Sequence, residues 1–257
     1  MLAKQRQRLI LDRLEHDGAV AVSTLAREWR ISRETVRRDI NHLAAAGRVV
    51  KTHGGALSVQ LREPDIAERG AVNAAGKRAI AMTAAALVPD GASLILDSGT
   101  TTRKLAEALT EKRELTVYTN DLEIVRLLGR RKGNRVLVLG GELQAHEDSI
   151  SGIDAADMLG RYVADFAFVG AGGFAADGCL TDYSRDAAMM RSTMFKAGRA
   201  AALLADHTKF VRVTPVKVPG FERARWIVVD QSPPPALASV WRGFGVEILQ
   251  AKAGRGK

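Results

Sequence analysis

One cysteine, Cys179, in a chain of 257 residues leaves no partner for an internal disulfide. Disulfides belong to oxidising compartments, so the expectation is a protein of the reducing cytoplasm. The first residues, MLAKQRQRLILDRLEHDG, hold no secretory core: their apolar run is only Leu9, Ile10 and Leu11 before Asp12. No stretch approaches the roughly 18 apolar residues of a membrane helix. Even the run at 79–88 is interrupted by Thr83. Nucleotide and acyl-transfer signatures are missing too, with neither a G-x-x-x-x-G-K-[ST] string nor a G-x-S-x-G elbow. His146-Glu147-Asp148 lacks a third ligand at metal-site spacing and reads as a solvated polar loop. No metal, cofactor or membrane partner is expected. Cys179 has no evident activating neighbour in sequence and reads as a small packed side chain.

What is present is an ordered composition, 46% hydrophobic and 26% charged, with a net charge of +9. The placement of that charge matters more than its size. Residues 1–60 carry 11 Lys and Arg against 6 Asp and Glu, a net +5. The body from 61 to 251 is nearly neutral at +1, and Lys252, Arg255 and Lys257 add +3 in the tail. A basic module on a neutral body points to a polyanion partner for the module.

Within that module Leu9, Ile10, Leu11 and Leu14 predict a helix over 4–16, broken at Asp17-Gly18. Ala19–Val22 reads as a brief extended piece. Ser23 is an apt N-cap for a helix over 24–29, and Ser32 for one over 33–46 closed by Gly47. In the latter, Val36, Ile40 and Leu43 form the buried stripe. Glu34, Arg37, Arg38 and Asn41 then face outward, with Ser32, Arg33 and Thr35 at the N-terminal end. This is a helix-turn-helix layout, in which arginine grips guanine and Ser or Thr contacts phosphate or base edges. Ser23 and Thr24 open the first of its two helices. The β-prone run from Arg48 through Gly54-Gly55 reads as a wing, placing Lys51, Thr52 and His53 near the DNA backbone or minor groove. The plainer alternative is a helical bundle with a solvated arginine face.

Residues 59–76 read as a linker, with Pro64, Gly70 and little periodicity. From 77 to 251, helix-like and continuous apolar segments alternate, predicting a mostly parallel α/β sheet covered on both faces. Strands are expected at 93–97, 116–119, 135–139, 165–169, 200–204, 226–229 and 246–249. Helices are expected at 77–87, 103–109, 122–128, 153–160, 185–197 and 235–242. Ligands in such sheets sit beyond the strand C-termini, so the following loops are the site candidates. Asp97-Ser98-Gly99-Thr100-Thr101 opens a helix and offers N–H groups to an anion. Asn120, Gly141 and Lys209 follow other strands. Gly170-Ala171-Gly172-Gly173 with Ala175 matches a dinucleotide string, but no acidic residue ends a strand about 20 residues on.

Three strings carry a resemblance: Val22-Ser23-Thr24-Leu25-Ala26, Ile31-Ser32-Arg33-Glu34-Thr35-Val36-Arg37-Arg38-Asp39-Ile40, and Lys51-Thr52-His53-Gly54-Gly55-Ala56. They resemble the winged helix of DeoR-type bacterial transcription regulators. Leu96–Thr101, Thr119-Asn120, Leu139–Gly141, Gly178-x-Leu180-Thr181 and Ala205-Asp206-x-x-Lys209-Phe210 are similar to the effector domain of that family. The resemblance implies an N-terminal winged helix-turn-helix at 3–58 and a C-terminal domain like ribose-phosphate isomerases and CoA transferases at 77–251, with 252–257 a basic tail. It implies a repressor that binds an operator as a homodimer or homotetramer and senses a phosphorylated sugar or polyol through Asp97–Thr101, Asn120, Gly141 and Lys209. A sugar-phosphate isomerase or transferase of the same fold is the alternative, with Glu142, Asp182 and Asp186 as its possible bases. Two departures stand out: Met190 aligns with a lysine frequent in the family, with Arg191 about 100° away around the helix, and Gly76 stands where Glu is frequent.

Replacing Arg37 and Arg38 together by Ala is expected to abolish operator binding in a gel shift at fixed salt while leaving the thermal melt unchanged. Each phosphate that the protein no longer neutralises lowers the salt slope by about one.

Overall fold

The computed structural model describes residues 1–17, 19–52, 54–58, 63–175, 177–210 and 212–252. His53, residues 59–62 of the expected linker, and Arg255 and Lys257 of the tail lie outside the described residues. The chain divides into two compact units, Met1–Glu63 and Pro64–Lys257.

The first unit runs α1 (Ala3–Asp17), β1 (Ala19–Ala21), α2 (Val22–Trp29), α3 (Arg33–Ala45), β2 (Val49–Thr52) and β3 (Gly55–Ser58). Its core is Ile10, Leu14, Val22, Leu25, Val36, Ile40, Leu43 and Val49. The α1 stripe is Ile10 and Leu14 at i, i+4; Leu9, expected on it, is exposed. Ser32 caps α3 as expected, its side chain accepting from Thr35 N, and Gly47 just beyond has φ +66°, where glycine is unstrained. Ser23 does not cap α2. Ala21 holds that position without a side-chain bond, and Ser23 sits one residue inside the helix. The reason is tertiary: β1 leads directly into α2, so the helix begins at Val22 with Ser23 inside it, and the Val22 N–H, one of the unpaired N-terminal donors, goes to Gly54 O of the wing at 2.8 Å. β2 and β3 form the antiparallel wing hairpin, and β1 pairs on β3.

The outward face of α3 is fixed by a carboxylate that sequence reasoning does not single out. Asp39, buried on the inner side of α3, receives Arg6 Nε at 2.6 Å and Nη2 at 3.2 Å from α1, with Gln7 Nε2 at 3.4 Å. The hydrogen bond to Asp39 raises the pKa of Arg6 above its ordinary value. The fork is bidentate and shielded, the geometry in which an ion pair is stiff.

The second unit opens with α4 (Ile66–Ala71) and α5 (Ala74–Ala85), so the expected linker contains a helix and the first turn of another. Six residues are too few to show a hydrophobic period, which is why α4 leaves no mark on the sequence pattern. There follow β4 (Ser93–Leu96), α6 (Thr100–Ala108), β5 (Thr116–Thr119), α7 (Leu122–Gly129), β6 (Arg135–Val138), β7 (Glu142–Gln144), β8 (Ser149–Ser151) and α8 (Ile153–Leu159). Next come β9 (Ala164–Gly170), β10 (Gly173–Phe174), β11 (Leu180–Asp182), α9 (Arg185–Ala197) and β12 (Gly198–Ala205). The chain closes with β13 (Val216–Lys217), β14 (Ala224–Val229), α10 (Pro235–Gly243) and β15 (Glu247–Gln250).

Every strand expected in this unit joins one seven-stranded sheet, ordered β15-β14-β12-β9-β4-β5-β6 and parallel throughout. The continuous apolar strands are explained by cores on both faces. Ile95, Ala167, Val169, Leu203 and Ile227 face one, and Leu94, Leu96, Phe168, Leu204 and Val228 the other. Trp241, silent in the sequence, lies fully buried in an aromatic cluster with Phe174, Phe210 and Phe221, donating Nε1–H to Gly178 O at 3.0 Å. Among the described residues no helix is long and apolar enough to cross a membrane.

Asp39→Ala strands Arg6 and frees α3 from α1. It is expected to cost about 3 kcal/mol, read as faster amide exchange in residues 33–45 and a lower denaturant midpoint.

Candidate functional site

Two faces carry the chemistry, one in each unit. On the first, Arg33, Arg37, Arg38 and Asn41 are exposed along α3, and Lys51 and Thr52 are exposed on β2. Ser32 is exposed at the cap, and its Oγ lies 2.8 Å from Thr35 Oγ1, so these two hydroxyls already share a bond. Arg37 approaches Glu34 at 3.9 Å with both side chains more than half exposed, an interaction worth little in water and easily given up to phosphate. Ser23 is exposed and Thr24 half-buried at the start of α2. The basic face thus holds together on one helix and its wing.

In the second unit the strand order sets the location. From β4 the chain proceeds to β5 and β6 on one side, then returns to place β9 on the other. The loops after β4 and β9 diverge there, at the topological switch point where doubly wound sheets bind ligands. A cleft open to solvent lies at that point, lined by Ser98, Gly99, Thr100, Thr101, Thr102, Gly170, Ala171 and Leu204, with three cations, Arg69, Arg191 and Lys209. Gly99 is the N-cap of α6, with φ +132° and no side chain to cap with. The first-turn N–H groups and the positive end of the helix dipole are therefore left for an anion. The Asp121 carboxylate holds the loop, accepting from Gly99 N at 3.3 Å and Arg103 Nε at 2.8 Å while capping α7 through the N–H groups of Glu123 and Ile124. Burial raises the pKa of Asp121 and the bond from Arg103 opposes it.

Arg191 is the centre of the cleft floor. Its Nε donates to Asp97 Oδ2 at 2.7 Å and its Nη1 pairs with Asp182, both carboxylates buried. Asp97 also accepts from Ser98 N at 2.8 Å and Gly170 N at 2.9 Å, so one carboxylate joins the β4 loop, the β9 loop and α9. Met190 packs into the apolar core, while Arg191, one position on and about 100° around the helix, lines the cleft.

Of the expected ligand residues, Ser98, Gly99, Thr100, Thr101 and Lys209 come together in the cleft, and Asp97 stands behind Arg191. Asn120 and Gly141 do not line it. Asn120 Nδ2 donates to Ile150 O at 2.8 Å, tying β5 to β8, and a Cβ on Gly141 would meet Ser151 O at 2.5 Å. Both serve close packing around the β7–β8 hairpin. Gly172, just before β10, and Gly173, within it, likewise abut Thr181 O and Arg212 O, and the next element among the described residues is β11 rather than the helix a dinucleotide site requires.

Thr102, Gly170 and Ala171, which follow the first and fourth strands as site loops do, line the cleft too, whereas sequence reasoning missed Arg69 and Glu147. The loop 146–148, expected to be solvated, keeps His146 and Asp148 exposed, but the Glu147 carboxylate is shielded and pairs with Arg69. Nearby, buried Lys77 donates to Arg69 O at 2.5 Å. Burial pushes its ammonium below the ordinary lysine range, Asp206 pulls it back, and Arg69 and Arg212 push further down. Lys209 is set by the turn His207–Lys209, where Asp206 Oδ1 accepts from Thr208 N at 3.0 Å and Thr208 Oγ1 at 2.6 Å. Cys179 is partly exposed beside Asp177, and burial raises the pKa of its thiol. Among the described residues no cluster of His, Cys, Asp and Glu could hold a metal ion.

Arg191→Met leaves Asp97 and Asp182 buried without their cation. It is expected to lower stability in a urea melt by about 3 to 5 kcal/mol, a loss far beyond that of an exposed arginine.

Residues 6–62 match the DeoR-like helix-turn-helix domain and residues 72–231 the DeoR C terminal sensor domain. The Escherichia coli HTH-type transcriptional repressor CsqR is 30% identical over 90% of this chain and 89% of its own length. The E. coli glycerol-3-phosphate regulon repressor is 28% identical over 96% and 99%. The transcriptional repressor AccR of Agrobacterium fabrum is 32% identical over 81% and 82%. Ribose 5-phosphate isomerase A of Methanocaldococcus jannaschii overlays 52% of each chain at 18% identity with a TM-score of 0.37. The chain, a DNA-binding helix-turn-helix joined to a parallel-sheet sensor and matched over nearly its whole length by repressors, belongs to the DeoR family of transcription regulators.

Proposed function

We propose that this regulator is a repressor whose α3 enters the major groove of an operator, and whose sensor cleft takes the phosphate of a phosphorylated sugar or polyol that changes operator affinity. Arg33, Arg37, Arg38 and Asn41 would contact base edges and phosphates. Lys51, Thr52 and His53 on the wing, and Ser23, Thr24, Ser32 and Thr35 at the helix starts, would contact the backbone. One short helix reads too few bases alone, so the operating form is a two-fold dimer or a tetramer in the cytoplasm. In this reading the DNA reader runs to about residue 58, the sensor extends through 251, and a basic tail follows.

The observation that carries the ligand class is the uncapped start of α6 surrounded by Arg69, Arg191 and Lys209 at the switch point. A helix start with convergent cations is a site for a phosphate. Ser98–Thr101 would supply the backbone cradle and Lys209 a direct charge, while Asp97 positions Arg191. Asn120 and Gly141 hold the neighbouring loop in place. The name of the glycerol-3-phosphate regulon repressor supports a small phosphorylated polyol or sugar as the ligand class. An isomerase or transferase reading finds no such support, since CsqR and AccR too are named as repressors, and of its candidate bases Asp182 is committed, with Asp97, to Arg191.

A thermal-shift screen of phosphorylated sugars and polyols tests this. A ligand at a hundred times its Kd adds about 2.7 kcal/mol of native-state stability. The expected outcome is a shift with one narrow class of phosphorylated compound, largely lost in Lys209→Ala. A full shift in that variant would remove Lys209 from the site, and steady turnover of the compound would revive the enzyme reading.

A further inference from the structure

We propose that Arg69 is an exchangeable latch: it binds Glu147 in the empty cleft and leaves it for the phosphate, thereby untying the first helix of the sensor domain. The inference rests on the cleft being the anion site. Four observations meet at this residue. Arg69 lies on α4, the first element of the sensor unit after the boundary at Pro64. The residue lines the cleft with Arg191 and Lys209. Its Nη2 pairs with Glu147 Oε2 in the turn between β7 and β8, both side chains close to nine-tenths buried. The same turn accepts α4 again through Ile66 N to His146 O at 3.4 Å.

Arg191 and Arg69 are both paired with carboxylates, but in different ways. Arg191 sits between Asp97 and Asp182 and cannot leave without burying two uncompensated charges. The Glu147 carboxylate that meets Arg69 stands in a turn whose neighbours Ala145, His146 and Asp148 are at least partly exposed. Rotation of Glu147 into water therefore disturbs little, so an incoming phosphate dianion can take the guanidinium bidentately and leave Glu147 solvated. Lys77, which donates to Arg69 O, holds the backbone of α4 in its C-terminal half, while its N-terminal end keeps the long Ile66 N to His146 O bond, 3.4 Å, to the same turn. The direct consequence is a change in α4, the segment joined by sequence to the DNA-binding unit. Two states of one helix, biased by one ligand, supply the sensor half of a coupling between sites, the other half being a difference in DNA affinity between those states.

The test uses inorganic phosphate as the probe on the full chain, with affinity from calorimetry and opening of α4 from hydrogen exchange in residues 64–72. Glu147→Gln keeps the shape and removes the competing charge. It is expected to tighten phosphate about tenfold and to give α4, without phosphate, the faster exchange that the wild type shows only when saturated. Glu123→Gln, a carboxylate paired with Arg126 elsewhere in the same domain, controls for net charge and should change neither. Should Glu147→Gln fold poorly, Arg69→Gln reads the same latch from its other side, with phosphate about tenfold weaker and α4 already fast. Wild-type affinity in Glu147→Gln, or an α4 that ignores saturating phosphate in the wild type, would overturn the latch alone. Absence of any phosphate binding by the wild type would overturn the latch together with the cleft itself.

Discussion

The sensor domain depends on one guanidinium held between two buried carboxylates. Asp97 and Asp182 come from the ends of β4 and β11, and both are buried against the guanidinium of Arg191 from α9. Charge burial of this kind is costly unless every partner is present, so it contributes less to net stability than to fixing one arrangement. What it fixes is the switch point. Asp97 also takes the N–H groups of Ser98 and Gly170, and those loops diverge to make the cleft. The site is therefore a consequence of a charge-compensation problem solved at the centre of the sheet.

The DNA-binding unit solves a smaller version of the same problem. Asp39 lies on the inner side of α3 and takes the Arg6 fork from α1. The arginines on the outer face of α3 are exposed, and Arg37 makes only a long approach to Glu34. The division between committed and available charge runs through both units. Arg6 and Arg191 are structural cations. Arg37, Arg38 and Lys51 remain available on the surface, and Arg69 stands between the two classes.

Much of this is legible from local pattern. Val36, Ile40 and Leu43 place the buried face of α3 because a helical period needs no tertiary information. All seven strands of the main sheet are legible, the inner ones because strands buried on both faces read as continuous apolar runs. The start of α6 is legible as an anion site because a strand, a Ser-Gly-Thr string and a helix follow in that order. The misreadings share a cause: each concerns a group whose partner is far away in sequence. Ser23 is a chemically sound cap, but β1, paired on β3, runs straight into α2 one residue before it. Glu147 reads as solvated because Arg69, its partner, lies 78 residues earlier. Asn120 and Gly141 follow strands as ligand residues do, yet β8 and its flanking backbone claim them both.

By itself the sequence determined the three helices of the first unit, the seven strands of the main sheet, where the charge sits and which helix presents it, because period, capping and composition act over a few residues. It determined as well that the excess positive charge belongs to the reader and the tail while the sensor body stays near neutral. Only the tertiary structure decided which cations are committed to internal carboxylates and which face the cleft. Pairing of buried charges depends on distance in space, and no spacing along the chain encodes that Arg69 meets Glu147 or that Arg191, and not Met190, reaches Asp97.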